Sequence, residues 1–402
     1  MKVFERAEIG SIELNNRIIR SSTFEGMADN NGFPTEEYFT LYEKLSKNNI
    51  GGIITGCTYI SKDGKMVQPG QAGIDDDEKT ASFKKVTAIV HKNNSKIFMQ
   101  ISHAGRQTIS DLIKTECIYG FSDKKSFYFN QKPIVLSNSQ IRDLIEKFGD
   151  AAKRAQSADF DGIQLHAAHG YLIHQSILSS VNSRADEFGI DKKTKIGTKF
   201  LDLIIENIRN KCGPDYPILV KISGSDDYIR KFSELQFIEL IRFLNSKQIS
   251  AIEISYGTMD YALNIFRGKS IPYDFILKHN IKYKTNKSLI KNIYNYLLFA
   301  MLKLKTIPFA LGYNINFSIL AKKYTSIPVI SVGGFLNGND ISDAIENHKA
   351  DFVSLSRALI AEPAFVSRLI NKADDKSICA SCNRCAIMCD SNLSTRCFAL
   401  KR

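Results

Sequence analysis

Proline is scarce, 9 in 402 residues, which argues against a linker-rich or disordered chain. No apolar run opens the sequence. Residues 1–10 read MKVFERAEIG, with no small-residue cleavage site, so no secretory leader is expected. In the second half the longest purely apolar stretch, 297–302, is far too short to span a bilayer. Basic residues outnumber acidic ones, 54 against 42, for a formal charge of +12. No short run concentrates them among aromatics, so the charge reads as solvated faces and not as a nucleic-acid groove. Evenly spread cysteine pairs are also missing. Cys57, Cys117 and Cys212 are scattered, whereas Cys379, Cys382, Cys385, Cys389 and Cys397 crowd the end. That pattern excludes a secreted disulfide scaffold and points to a reducing, cytoplasmic setting. No internal repeat stands out.

What is present is enough apolar residue, 44%, for a large core, arranged in a regular alternation. Short apolar runs at 17–22, 52–56, 96–102, 162–166, 218–223, 251–255, 328–332 and 351–356 suit strands buried on both faces of a parallel sheet. Between them, 139–159, 194–210, 234–246 and 340–348 carry apolar residues at helical spacing. Eight strands alternating with helices predict an α/β fold, a closed (β/α)8 TIM barrel over residues 1–375, followed by a short Cys-rich segment over 376–402. Two excursions interrupt the rhythm, 108–132 and 258–306. The second holds an amphipathic stretch at 288–305, expected to pack on the barrel or cap its mouth rather than lie on a membrane.

Chemistry in such barrels gathers where the strands end. The third strand ends with Gln100 before SHAGR, and the fourth ends at His166 and continues HAAHGYLIHQ. Lys221 interrupts an apolar fifth strand, where burial is costly without an anionic partner. Gly333 and Gly334 follow the seventh strand and Arg357 the eighth, a pairing that suits a phosphate held by backbone N–H groups and a guanidinium fork. His166, His169 and Tyr171 together can donate hydrogen bonds to a carbonyl oxygen and deliver a proton to carbon. A zinc site built from His103, His166, His169 or His174 is the competing reading. It lacks a His-x-His pair on strand one and an acidic residue at a neighbouring strand end.

In order along the chain, LNNRIIRSSTFEGMAD, GIITGCTYIS, MQISHAGRQ, DFDGIQLHAAHGYLIHQSILSSVNSRADEFG, PILVKIS, PVISVGGF, DFVSLSRALIAEP and CASCNRC resemble the Old Yellow Enzyme family, in its NADH:flavin oxidoreductase branch. The resemblance spans nearly the whole chain and implies FMN as cofactor with NADH or NADPH as hydride donor. It implies contact of Ser22, Thr23 and the backbone around Gly56 and Cys57 with the flavin. Gln100 would meet the pyrimidine edge, Lys221 the N1/C2 carbonyl region, and Gly333, Gly334, Ser356 and Arg357 the phosphate. His166 and His169 would hold the oxygen of an activated alkene or similar acceptor, with Tyr171 supplying the proton. Asn182, Arg184 and Asp186 match the loop after the His/Tyr helix start and read as architectural. Four positions depart from the family pattern: Ser22 for Pro, Phe24 for Cys or Thr, Lys221 for Arg, and Ser356 for Gly.

Larger relatives that resemble 2,4-dienoyl-CoA reductase hold a [4Fe–4S] cluster through Cys-x2-Cys-x3-Cys-x11-Cys. Here Cys379, Cys382, Cys385 and Cys397 follow the pattern with one residue fewer in the middle, and Cys389 is spare. The expectation is a tail without a metal, ahead of a cluster and then of structural zinc. An electron-transfer protein built on those cysteines is the alternative to an ene-reductase acting on small molecules. A metal-dependent hydrolase is a third class.

Overall fold

Alternating apolar strands and amphipathic helices close into a single ring in the computed structural model, which describes residues 1–281 and 306–400. The strands are β1 (Ile18–Arg20), β2 (Gly52–Ile54), β3 (Lys96–Ser102), β4 (Gly162–Ala167), β5 (Ile218–Ser223), β6 (Ala251–Ser255), β7 (Val329–Val332) and β8 (Phe352–Leu355). The helices between and after them are α1 (Glu36–Ser46), α2 (Thr80–Lys92), α3 (Asn138–Ser157), α4 (Lys199–Cys212), α5 (Glu234–Ser246), α6 (Ile315–Lys322), α7 (Gly338–Glu346) and α8 (Phe365–Asn371). Hydrogen-bonded order runs β2–β1–β8–β7–β6–β5–β4–β3, and β2 pairs with β3 to complete the circle, every pairing parallel. This is the (β/α)8 barrel the alternation predicts.

Local chemistry starts the helices. Ser137 and Gln140 form a capping box at α3, and Ser233 and Gln236 another at α5, each cap contributing about 1 kcal/mol. One helix boundary differs from its spacing. The stretch 194–210 becomes α4 only from Lys199, because the Asp191 side chain accepts from the Lys193 and Thr194 amides and holds a turn there. Strand β1 is shorter than its apolar run; Ser21 and Ser22 lie just beyond it, at the mouth of the barrel.

Because a strand's side chains alternate, the barrel interior is layered. At the bottom Ile19, Ile54, Phe98, Leu219, Ile330 and Phe352 pack with Ile9 and Leu14. Those last two come from an antiparallel hairpin, Ala7–Ile9 with Ile12–Leu14, that plugs the floor. The opposite faces, among them Ile97, Met99, Ile163, Leu165, Val220 and Ile222, pack outward with helix residues such as Phe148, Phe200 and Leu240. Each such buried side chain contributes roughly 1.5–3 kcal/mol. Two residues on from the apolar floor, the inward positions turn polar: Gln100, Lys221 and Glu253 stand there, all buried.

The first excursion is anchored from inside. Buried Arg106 and Asp260 pair at 3.0 Å, and Ser126 donates to the other Asp260 oxygen at 2.5 Å. The amphipathic stretch 288–305 lies outside the described residues. Among the described residues, no helix is long and apolar enough to cross a membrane.

Candidate active site

At the carboxyl ends of the strands lies a cavity of about 870 Å³. Ser22, Thr23, Cys57, Gln100, His166, His169, Tyr171, Lys221, Gly333, Gly334, Ser356 and Arg357 all line it. Residues drawn from seven strand ends and their following loops thus share one cavity.

The histidine pole is built by a turn that only particular backbone geometry allows. After β4 the chain passes through left-handed His169 (φ +62°) and Gly170 (φ +79°). A Cβ on Gly170 would stand 2.9 Å from Gln107 Nε2 and 3.2 Å from Thr258 Cβ, and the left-handed φ strains any larger residue there. The turn is stitched to neighbours: His169 N donates to Ser223 Oγ at 3.2 Å, and Met259 N donates to His169 O at 2.9 Å. The His166 and His169 rings meet edge to face at 4.9 Å, and Tyr171 lies 4.8 Å from His166. His169 Nε2 is 2.8 Å from Ser255 Oγ, while buried His166 Nδ1 has no protein partner. Burial above all holds both imidazoles well below their ordinary pKa; Lys221 and then His174 add to it at His166, and His166 and then Lys221 at His169. Burial likewise pushes the Tyr171 phenol well up, with Cys57, Asp390 and Cys389 adding to it. At neutral pH the pole is therefore three uncharged groups, each with a proton to offer.

Between the poles lies a chain of buried hydrogen bonds. Ser22 Oγ donates to Gln100 Oε1 at 2.7 Å, Gln100 Nε2 to Gln164 Oε1 at 2.7 Å, and Gln164 Nε2 to Glu253 Oε2 at 2.9 Å. Ser21 and Ser354 both donate to Glu253 Oε1 at 2.6 Å. Lys221 Nζ donates to Ser21 Oγ at 2.9 Å and stands 3.3 Å from Glu253 Oε2. The anionic partner that a buried lysine requires is thus supplied by the next strand, in direct register.

At the opposite pole, Gly333 and Gly334 have φ of +129° and +79°. A Cβ on Gly333 would meet the Tyr313 ring at 2.5 Å, and one on Gly334 the Ala310 carbonyl at 2.4 Å. Side chains are excluded there, which leaves backbone exposed to the cavity. Arg357 donates to Asn383 Oδ1 at 2.5 Å. Asn182, Arg184 and Asp186 stand apart from the cavity. Asn182 donates to the Ser176 and Phe188 carbonyls, and Arg184 holds Leu136 O, Asn138 and Asp186.

Several residues in the cavity wall or buried behind it escape the sequence reading. Ser255 and Glu253 obey the rule used for the others, polar residues near strand ends, and could have been read from AIEIS. Glu25 is a second omission: it accepts from the Gly56 amide at 2.7 Å and from the Tyr42 hydroxyl at 2.5 Å, and pairs with Arg20 at 3.5 Å. It thereby fixes the turn that presents Cys57. Phe127 and Tyr261, stacked at 5.8 Å, come from the two excursions and leave no local signal.

The Cys-rich segment lies across the mouth. Cys385 and Cys389 line the cavity. Asp390 accepts from Gln68 at 2.6 Å and from Asn280 at 2.8 Å. Cys379, Cys382 and Cys397 are near enough to Cys385 to raise its thiol, which burial and these neighbours push up to about 12 against the pull of Arg357. Among the described residues, no group of three or more His, Cys, Asp or Glu side chains is placed to hold a metal ion.

The barrel and its cavity define a (β/α)8 protein with a candidate site at the carboxyl ends of its strands. The sequence pattern of the NADH:flavin oxidoreductase / NADH oxidase family matches residues 2–291, and the chain belongs to that family. It is 29% identical to an NADH oxidase of Thermoanaerobacter brockii over 383 residues, covering 95% of this chain and 52% of the relative. It is 27% identical to an NADPH dehydrogenase of Clostridium acetobutylicum over 372 residues, covering 91% and 94%. The chain thus spans about half the length of the first relative and nearly all of the second. An Old Yellow Enzyme homologue from Zymomonas mobilis shares the fold at a TM-score of 0.69 and 22% identity, covering 94% of this chain and 95% of that one. The residues present fit FMN: Gly333, Gly334 and Arg357 line the same cavity of about 870 Å³ as His166 and His169, and the Gln100 amide and Lys221 ammonium line it too.

Proposed function

We propose that the protein is an FMN-dependent NAD(P)H oxidoreductase that reduces an activated alkene or similarly electron-poor small molecule. When bound, FMN supplies the two-electron hydride chemistry that no side chain can perform. The observation that carries the reading is the gathering of both poles and the polar chain around one cavity. Gly333 and Gly334 N–H groups, Ser356 and Arg357 would hold the phosphate. Ser22, Thr23, the backbone at Cys57, Gln100 and Lys221 would hold the ring system. His166 and His169, uncharged, would donate hydrogen bonds to the acceptor's carbonyl oxygen and draw charge from its double bond. Tyr171, kept protonated by burial, would deliver the proton to the α-carbon. Residues 1–375 form the FMN barrel in this proposal, and 376–402 a Cys-rich segment that shapes the mouth.

The test is anaerobic titration of FMN-loaded protein with NADH and NADPH. Loss of the flavin's visible absorption, followed by its return on adding an enone, is the expected result. Protein that refuses FMN, or bound flavin that neither nucleotide reduces, would overturn the proposal. A second reading, electron transfer through the cysteines, draws on Cys385 lining the same cavity. It requires stoichiometric iron and acid-labile sulfide in anaerobically purified protein.

A further inference from the structure

The polar chain beneath the cavity has a direction and a single terminus. Every donor in it points toward Glu253: Ser22 to Gln100, Gln100 to Gln164, and Gln164, Ser21 and Ser354 to the carboxylate itself. Glu253 is fully buried and Lys221 nearly so, so neither charge is screened by water. An acceptor-only group at the end of such a chain determines the orientation of each amide along it. With Glu253 ionised, Gln164 must turn its NH2 toward it and its oxygen toward Gln100. Gln100 then turns its NH2 toward Gln164 and keeps its second N–H for the cavity. The same carboxylate stands 3.3 Å from Lys221 Nζ, so the cation in the cavity wall is already matched by an anion.

Resting on the FMN reading above, we infer that Glu253 is a positioning residue that compensates the charge of Lys221 and fixes the Gln100 amide, holding the reduction potential of the bound flavin down. A cation alone favours the electron-rich reduced ring; a cation beside a carboxylate favours it much less. The Lys221–Glu253 pair therefore acts as a dipole whose positive end meets the ring, not as a full positive charge. Burial pushes the Glu253 carboxyl up, yet Lys221 and the donors from Ser21, Ser354 and Gln164 outweigh it and keep the group below its ordinary pKa. It is thus ionised at working pH.

The test is the two-electron midpoint potential of the FMN-loaded full-length protein at pH 6, measured against a reference dye, with melting temperature recorded alongside. Glu253→Gln keeps the shape and removes the charge. It should favour the reduced flavin at least tenfold, an upward shift of about 30 mV for two electrons. Glu253→Asp, which withdraws the carboxylate by one methylene, should give a smaller upward shift. A folded, FMN-loaded Glu253→Gln protein whose melting temperature falls while its potential stays fixed or drops would show a merely structural role and overturn the inference. Should the single variants fail to fold, the paired replacement K221M/E253Q leaves no uncompensated charge. A potential within tenfold of the wild-type equilibrium supports compensation, whereas a larger fall shows that Lys221 acts as a full cation and overturns it. Wild-type protein that takes up no FMN would instead sink the function reading on which this one rests.

Discussion

Replacing Lys221 with Met isolates what the buried ion pair contributes to the fold. Met keeps most of the side chain's length and apolar stem but removes the ammonium, so little cavity forms and the loss is electrostatic. Glu253 keeps its bonds from Ser21, Ser354 and Gln164, but these exist in the wild type and offset nothing new. Breaking a buried pair by deleting one partner costs about 3–5 kcal/mol. Flavin-free protein at pH 8 should lose about 3–5 kcal/mol of unfolding free energy in urea. The pH dependence is the sharper check. In the wild type the Glu253 pKa is depressed, so its contribution is present above the unfolded carboxyl's pKa of about 4.3 and is lost as pH falls through the folded value. In the variant, burial without Lys221 raises the folded pKa above the unfolded one, so the penalty is full above that value and fades as pH falls and the carboxyl takes up a proton. The stability gap between the two proteins should therefore narrow from pH 8 to pH 5. A gap that stays constant or widens, or a variant as stable as wild type at pH 8, would refute the assignment of Lys221 as the compensating charge.

Two further substitutions probe the poles. Tyr171→Phe should slow reoxidation of the reduced flavin by an enone on the order of 10²-fold, while reduction by NADPH, read by rapid-mixing absorbance, changes little; equal loss in both half-reactions would remove Tyr171 from the proton-donor role. Gly333→Ala forces a side chain into a φ of +129° and within 2.5 Å of Tyr313. FMN affinity by fluorescence quenching should fall at least tenfold, and a variant that binds FMN as wild type does would detach the glycine pair from the phosphate.

How much of this was legible in the sequence follows from how local each cause is. Strands β3, β5 and β6 match their apolar runs residue for residue, because a strand buried on both faces needs apolar residues throughout and has nowhere else to go. Helix starts are less legible: α4 waits for Lys199 because a single aspartate, Asp191, competes for the preceding amides. The histidine turn and the glycine pair are visible as residue types. Their necessity is not, since Gly170 is constrained by Gln107 and Gly333 by Tyr313, each distant in sequence.

The clearest case is the AIEIS strand. Its glutamate has the inward register that makes Lys221 tolerable, yet an isolated Glu in an apolar run carries no mark of its partner. The pairing exists only because parallel β5 and β6 lie side by side with Lys221 opposite Glu253. Two conspicuous charges on consecutive inward-facing strands are thus one feature and not two. Once the ring order is fixed, the search for the lysine's counter-charge reduces to the inward positions of β4 and β6, which offer Gln164, His166, Glu253 and Ser255. Only one of these is an acid, so topology supplies what residue type alone leaves open.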